Sequence, residues 1–171
     1  MNKTYERNQD PMLWVGENYD CNCGSFALNV TTWFSPYGND DNYSEENRTN
    51  LILSLYYEGY SREEIMDIIL RRDQEEILRY CPWVDAVLPE EIRPEDKVIA
   101  YRINIDFNDS DWVSSFIDED FHFRVRIGGF WFEKCGEDKV QFCEDQNVTN
   151  TWYSTPRLTY DSEILYFRFV A

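Results

Sequence analysis

Positive charge is scarce in this sequence: 16 Lys and Arg stand against 33 Asp and Glu, leaving a formal net charge of -17 over 171 residues. So acidic a chain repels phosphate backbones and anionic bilayers, which argues against direct nucleic-acid binding and against a membrane partner. Long apolar runs are missing as well. Nowhere do the ~18 consecutive apolar residues of a bilayer span occur, and the opening MNKTYERNQDPMLW lacks the apolar centre of a secretory signal; a soluble, cytoplasmic protein is expected. Histidine is nearly absent, His122 being the single one, and no two cysteines have the two-residue spacing of a zinc knuckle. Five cysteines are an odd number in a chain without an export signal, so free thiols are expected rather than a disulfide framework. The glycosylation triplets at Asn29, Asn47, Asn108 and Asn147 then read as composition only.

What is present is apolar and aromatic material, 43% and 17% of the chain, enough to order a single domain over 1–171. Residues 1–20 read as an extended lead-in that docks through Leu13, Trp14 and Val15. Residues 22–88 read as mainly helical. Asn22 is placed to cap a helix that starts at Cys23, carries Phe26, Ala27, Val30 and Phe34 at helical spacing, and stops at Pro36. A polar loop over 37–48 precedes an apolar segment ended by Gly59. Ser61 with Glu64 forms a capping box before Ile65, Ile68 and Ile69, and Asp73 with Glu76 repeats that signal before Ile77 and Tyr80. This pair has helix-turn-helix spacing but no basic face, so helical packing is the expectation.

Beyond Pro89 and Pro94 the composition turns to β-branched and aromatic residues, and 97–171 reads as mainly strands. FHFRVR (121–126) and FWFEK (130–134) alternate on either side of Ile127-Gly128-Gly129, a hairpin signal. An α+β domain follows, with N-terminal helices packed on a C-terminal, mostly antiparallel sheet.

Cys23 in a first helical turn and His122 on a hairpin strand are the candidates for chemistry. A helix N-terminus and a neighbouring imidazole are the two devices that turn a thiol into a nucleophile, and both are expected here. The imidazole then needs a polar group to fix its orientation. With a two-residue turn at Gly128-Gly129, His122 opposes Cys135 and has Glu133 as its diagonal neighbour; with the turn at Ile127-Gly128, Glu133 is the direct partner. A three-residue turn presents Lys134 instead, which cannot accept the ring N–H.

The string Asn22-Cys23-Gly24-Ser25-Phe26-Ala27-Leu28, the stretch Pro94-Glu95-Asp96-Lys97-Val98, and Asp120-Phe121-His122-Phe123 followed by Gly129 to Gly136 resemble, in content and order, the papain-like, NlpC-type cysteine hydrolases. The resemblance spans roughly 20–136 and implies that Cys23 attacks an amide carbonyl, His122 is the base, and Glu133 orients the imidazole. Relatives usually carry His, Asn or Gln at the third place; an anionic Glu133 raises the imidazole pKa and favours a thiolate–imidazolium pair. The oxyanion donors implied are the nucleophile's own N–H and an upstream side chain, with Asn18, Tyr19 and Asn22 as candidates. The implied substrate is a peptide, isopeptide or side-chain amide, with no cofactor and no metal.

Other readings stand beside this one. Cys23 can be a core thiol and His122 a satisfied sheet histidine. Cys21, Cys23, Cys81, Cys135 and Cys143 could supply four thiolates to zinc, though without knuckle spacing. The loop Asp106 to Asp111 has carboxylates for calcium but Asp111 where the EF-hand turn needs Gly. The charge itself exceeds the magnitude of about 2–8 that solubility asks of a small domain. Small acidic inhibitors carried by phages, anti-CRISPR proteins among them, are similar in size and charge. That similarity implies a non-catalytic nucleic-acid mimic that binds a basic nucleic-acid-binding protein in the host cytoplasm.

Overall fold

Eight consecutive residues from Val98 to Ile105 are buried although a strand shows its side chains to two faces, so this strand must be covered on both sides. The computed structural model describes residues 3–10, 13, 16–18, 20–107, 117–154 and 158–170. Three α-helices precede the eight strands described: α1 (Cys23–Leu28), α2 (Glu45–Tyr57) and α3 (Arg62–Tyr80). The strands are β1 (Val84–Val87), β2 (Val98–Phe107), β3 (Ile117–Ile127), β4 (Phe130–Glu133), β5 (Gln141–Phe142), β6 (Trp152–Ser154), β7 (Leu158–Tyr160) and β8 (Leu165–Phe169).

Six strands form one antiparallel sheet in the order β1-β8-β2-β3-β4-β5, and β6 pairs with β7. Ile99, Tyr101, Ile103 and Ile105 of β2 face the main core with Ile52, Ile65, Ile69, Leu70 and Ile77 of the helices. Val98 and Ala100 face a smaller core made with Trp131, Cys143, Trp152 and Tyr160, so the β6–β7 ribbon covers the side the helices leave open. The protein is α+β with a mostly antiparallel sheet, as its sequence implies. No helix among the described residues is long and apolar enough to cross a membrane.

The β3–β4 turn places Gly128 and Gly129 at φ 59° and 86°, the left-handed pair a two-residue hairpin turn requires. It fixes the register as Ile127↔Phe130, Arg126↔Trp131, Val125↔Phe132 and Arg124↔Glu133. This is the first of the two-residue alternatives above, with Glu133 diagonal to His122.

Some expectations need correction. The first helix does not run to Pro36 but ends after six residues, because Asn29 adopts φ 62° as a left-handed cap and Val30 leaves to bridge Arg7 of the lead-in. The lead-in docks through buried Tyr5, whose hydroxyl donates to Asn39 Oδ1 at 2.6 Å. Leu13 packs partly on the core, while Trp14 and Val15 lie outside the described residues, as does the 108–111 part of the acidic loop. Helix α2 begins at Glu45 under a Ser44 cap, well inside the expected polar loop. Asp73 starts no second helix: α3 is continuous for 19 residues, and β1, β6 and β7 form where no alternating pattern marks a strand.

Asp73 is instead the hub of a buried polar cluster. Its carboxylate accepts from Arg48 Nε at 3.2 Å and Nη2 at 3.0 Å, from Tyr43 Oη at 2.7 Å and from Tyr101 Oη at 2.6 Å. Arg48 also pairs with Glu119 and lies over the Tyr37 ring, so α2, α3, β2 and β3 meet at one guanidinium. Burial and the Asp73 charge both push the Tyr43 and Tyr101 phenols up, which keeps them as donors.

Gly24 shows how tightly α1 is seated. A Cβ there would lie 2.9 Å from Phe34 Cδ1, 3.1 Å from Phe34 Cβ and 3.3 Å from Phe123 Cε2. Gly24→Ala is expected to destabilise the fold by about 1–3 kcal/mol through overpacking. Urea unfolding would register this as a lowered midpoint with an unchanged slope, and an unmoved midpoint would show that the Phe34 ring gives way freely.

Candidate functional site

Asn22 builds the first wall. Its Oδ1 accepts from Ser25 N at 3.0 Å and Phe34 N at 3.1 Å, while its Nδ2 donates to Phe34 O at 2.7 Å; Ser25 Oγ closes the capping box by accepting from Asn22 N at 3.0 Å. These bonds fix the first turn of α1, packed on β3, and with it the thiol of Cys23. They also commit the Asn22 amide to structure, which disfavours it as an oxyanion donor. Asn18 is similarly engaged, its Oδ1 accepting from Asp20 N at 2.9 Å; Tyr19 lies outside the described residues.

The structure brings the three sequence candidates together. His122 lies on the same cavity wall as Cys23, close enough for the two to interact electrostatically, and its Nε2 lies 3.6 Å from Glu133 Oε2, in ion-pair range and longer than a direct hydrogen bond. Tyr160 stacks on the imidazole with centroids 5.2 Å apart, and Trp152 meets it edge-on at 6.0 Å. Cys23 and His122 line one cavity of about 490 Å³ with Trp33, Asp120, Gly136 and Asp138.

Burial acts to lower the His122 pKa, yet the polar and charge interactions with Cys23 and Glu133 outweigh it and raise the group from 6.5 to about 9. For Glu133, burial acts upward but is outweighed by His122 and then Arg124, so the carboxyl is held down at about 2. The imidazole is therefore cationic and the carboxylate anionic throughout the neutral range. Burial pushes Cys21 up and Cys81 to about 12, and burial followed by the Glu133 charge takes Cys135 and Cys143 to about 12.

Several participants escaped sequence reasoning. Arg124 donates from Nε to Glu133 Oε2 at 2.6 Å; its spacing two residues from His122 on a strand was the available signal. Cys135 and Cys143 donate to the same carboxylate at 3.6 and 3.5 Å. Tyr160 comes from a remote ribbon and left no local trace. Lys134 is turned away from His122 and fully buried, donating from Nζ to Gly136 O at 2.9 Å and to Asp138 O, which fastens the turn that walls the cavity. Burial pushes the Lys134 ammonium down, partly offset by Cys21.

One ligand atom each from His122, Glu133 and Cys135 lie within 4.8 Å of one another, the one such grouping among the described residues. A cation placed there would sit beside the Arg124 guanidinium, which already occupies Glu133 Oε2. The donor set therefore suits an acceptor for N–H and S–H groups better than a metal. The cysteine quintet proposed for zinc does not converge on one grouping among the described residues. No protein-family model, curated protein or solved structure matches this chain.

Proposed function

We propose that this protein is a thiol hydrolase of the papain-like, NlpC type, acting on a peptide, isopeptide or side-chain amide. The observation that carries the reading is that Cys23 and His122 line one cavity, large enough for an amide substrate, with a carboxylate 3.6 Å from the imidazole. In acylation the Cys23 sulfur, its proton held on His122, attacks the carbonyl carbon and a C–S bond forms. The His122 proton passes to the leaving nitrogen as the C–N bond breaks, and an amine departs. Water then attacks the thioester, His122 takes its proton, and the carboxylic acid leaves as the sulfur is freed. The Cys23 N–H, in the first helical turn and without an intrahelical acceptor, supports the oxyanion. Glu133 and Tyr160 hold the ring in place.

The test is site-selective labelling. Iodoacetamide below pH 8 is expected to modify Cys23 at least ~10-fold faster than Cys81 or Cys143, with peptide mapping as the readout. Equal, slow labelling of all five thiols would remove the hydrolase from consideration.

The net charge of -17 favours a second reading, a binding protein that occupies the surface of a basic nucleic-acid-binding partner. Such binding weakens steeply with salt and survives Cys23→Ala. Loss of biological activity in a folded Cys23→Ala variant rules against it as the sole role.

A further inference from the structure

A second cavity, of about 560 Å³, adjoins the first and shares Cys135 with it. At its base is Arg124, whose side chain is only 7% exposed and lies over the Trp152 ring at 4.7 Å. Only Nε of this guanidinium is used, on Glu133; the two Nη atoms have no acceptor among the described residues, and the residue lines the cavity. A nearly buried guanidinium with free, planar donors is suited to a carboxylate. The rim has the opposite sign: Glu144 and Asp145 are exposed there, with Asp145 held by bonds from Asn147 N and Asn150 Nδ2. A simple anion is repelled at that mouth, while at the floor Glu133 also lines the cavity and balances the Arg124 charge, leaving the Nη atoms as directional donors rather than a bare positive charge. A ligand carrying a carboxylate and an ammonium a few ångströms apart satisfies both ends.

The position of this cavity connects it to the chemistry. Glu133 Oε2 is the oxygen that meets both Arg124 Nε and His122 Nε2, so guanidinium and imidazole are immediate neighbours. We propose that the Arg124 cavity receives the α-amino-acid head of the substrate, carboxylate on the Arg124 Nη atoms and ammonium at Glu144 and Asp145, with its side-chain amide reaching past Cys135 to Cys23. The substrate class is then the ω-amides of free α-amino acids. This assignment rests on the hydrolase reading for its orientation, though not for the binding itself.

Calorimetric titration of the full-length Cys23→Ala protein separates the two. L-Glutamine or L-asparagine is expected to bind, and blocking either charge, as the methyl ester or the N-acetyl derivative, is expected to weaken binding about tenfold or more. Arg124→Gln is expected to abolish detectable binding, and Glu144→Gln to weaken the free amino acid while leaving the N-acetyl form unaffected. Because the ester and acetyl comparisons need no change at Arg124, a poorly folding Arg124 variant leaves the outcome readable. Esters binding as tightly as free acids, or no binding of either amino acid at tens of millimolar, overturns the assignment. Failure of the hydrolase reading is seen separately, in slow Cys23 alkylation with amino-acid binding intact.

Discussion

Replacing His122 with alanine is expected to slow iodoacetamide modification of Cys23 by about 100-fold at pH 7, the scale on which a positioned base acts. The imidazolium that lines one cavity with the sulfur is the expected source of the effect, and Cys81, buried elsewhere, serves as an internal control. An unchanged Cys23 rate in a folded His122→Ala protein would falsify the catalytic pairing. The pH dependence of stability follows from the same groups. His122 has a folded pKa of about 9 against an ordinary 6.5, so its contribution is complete below pH 6.5 and is lost as pH rises through 9. Glu133 is held at about 2 against an ordinary 4.5, so its contribution is present above pH 4.5 and is lost as pH falls through 2. Between pH 4.5 and 6.5 the pair is fully engaged. The alkaline decline of the melting temperature above pH 6.5 should be shallower in His122→Ala, and turnover should fall above pH 9 as the proton donor for the leaving amine is lost.

Asp73→Ala is expected to cost about 3–5 kcal/mol, the largest effect on stability among single substitutions outside the apolar core. The change leaves the Arg48 guanidinium, 1% exposed, with Glu119 as its remaining carboxylate, and the Tyr43 and Tyr101 hydroxyls without their acceptor. A domain of ordinary stability, about 5–15 kcal/mol, approaches unfolding under that loss. Urea denaturation is the measurement. A paired Arg48→Met, Asp73→Leu protein should recover only part of the deficit, since it removes the buried guanidinium but leaves Glu119 without its partner and the Tyr43 and Tyr101 hydroxyls without their acceptor. If Asp73→Ala melts with the parent protein, water reaches Arg48 and the cluster contributes little.

The fold was legible where one face of an element carries a clear period. The alternation in β3 and β4, the Gly128-Gly129 turn and the capping box at Ser61 each reflect local sterics, and these elements lie where sequence patterns place them. Legibility failed where tertiary contacts override local signals. Asp73 and Glu76 have capping spacing, but Asp73 is drawn inward by a guanidinium from another helix, and α3 continues through it. Val30 and Phe34 have helical spacing after Phe26, yet Asn22 takes hold of the Phe34 backbone and Asn29 turns the chain. In the candidate site, Cys23, His122 and Glu133 could be named from motif and register, whereas Tyr160 and Cys143 could not. Their contacts depend on how the β6–β7 ribbon and the 134–143 connection fold back, which periodicity does not encode.

Strand β8, at residues 165–169, is hydrogen-bonded between β1 and β2 rather than at a sheet margin. A chain lacking residues 165–169 would leave β1 without its sheet partner and one flank of β2 open, and such bare backbone edges favour sticking between copies.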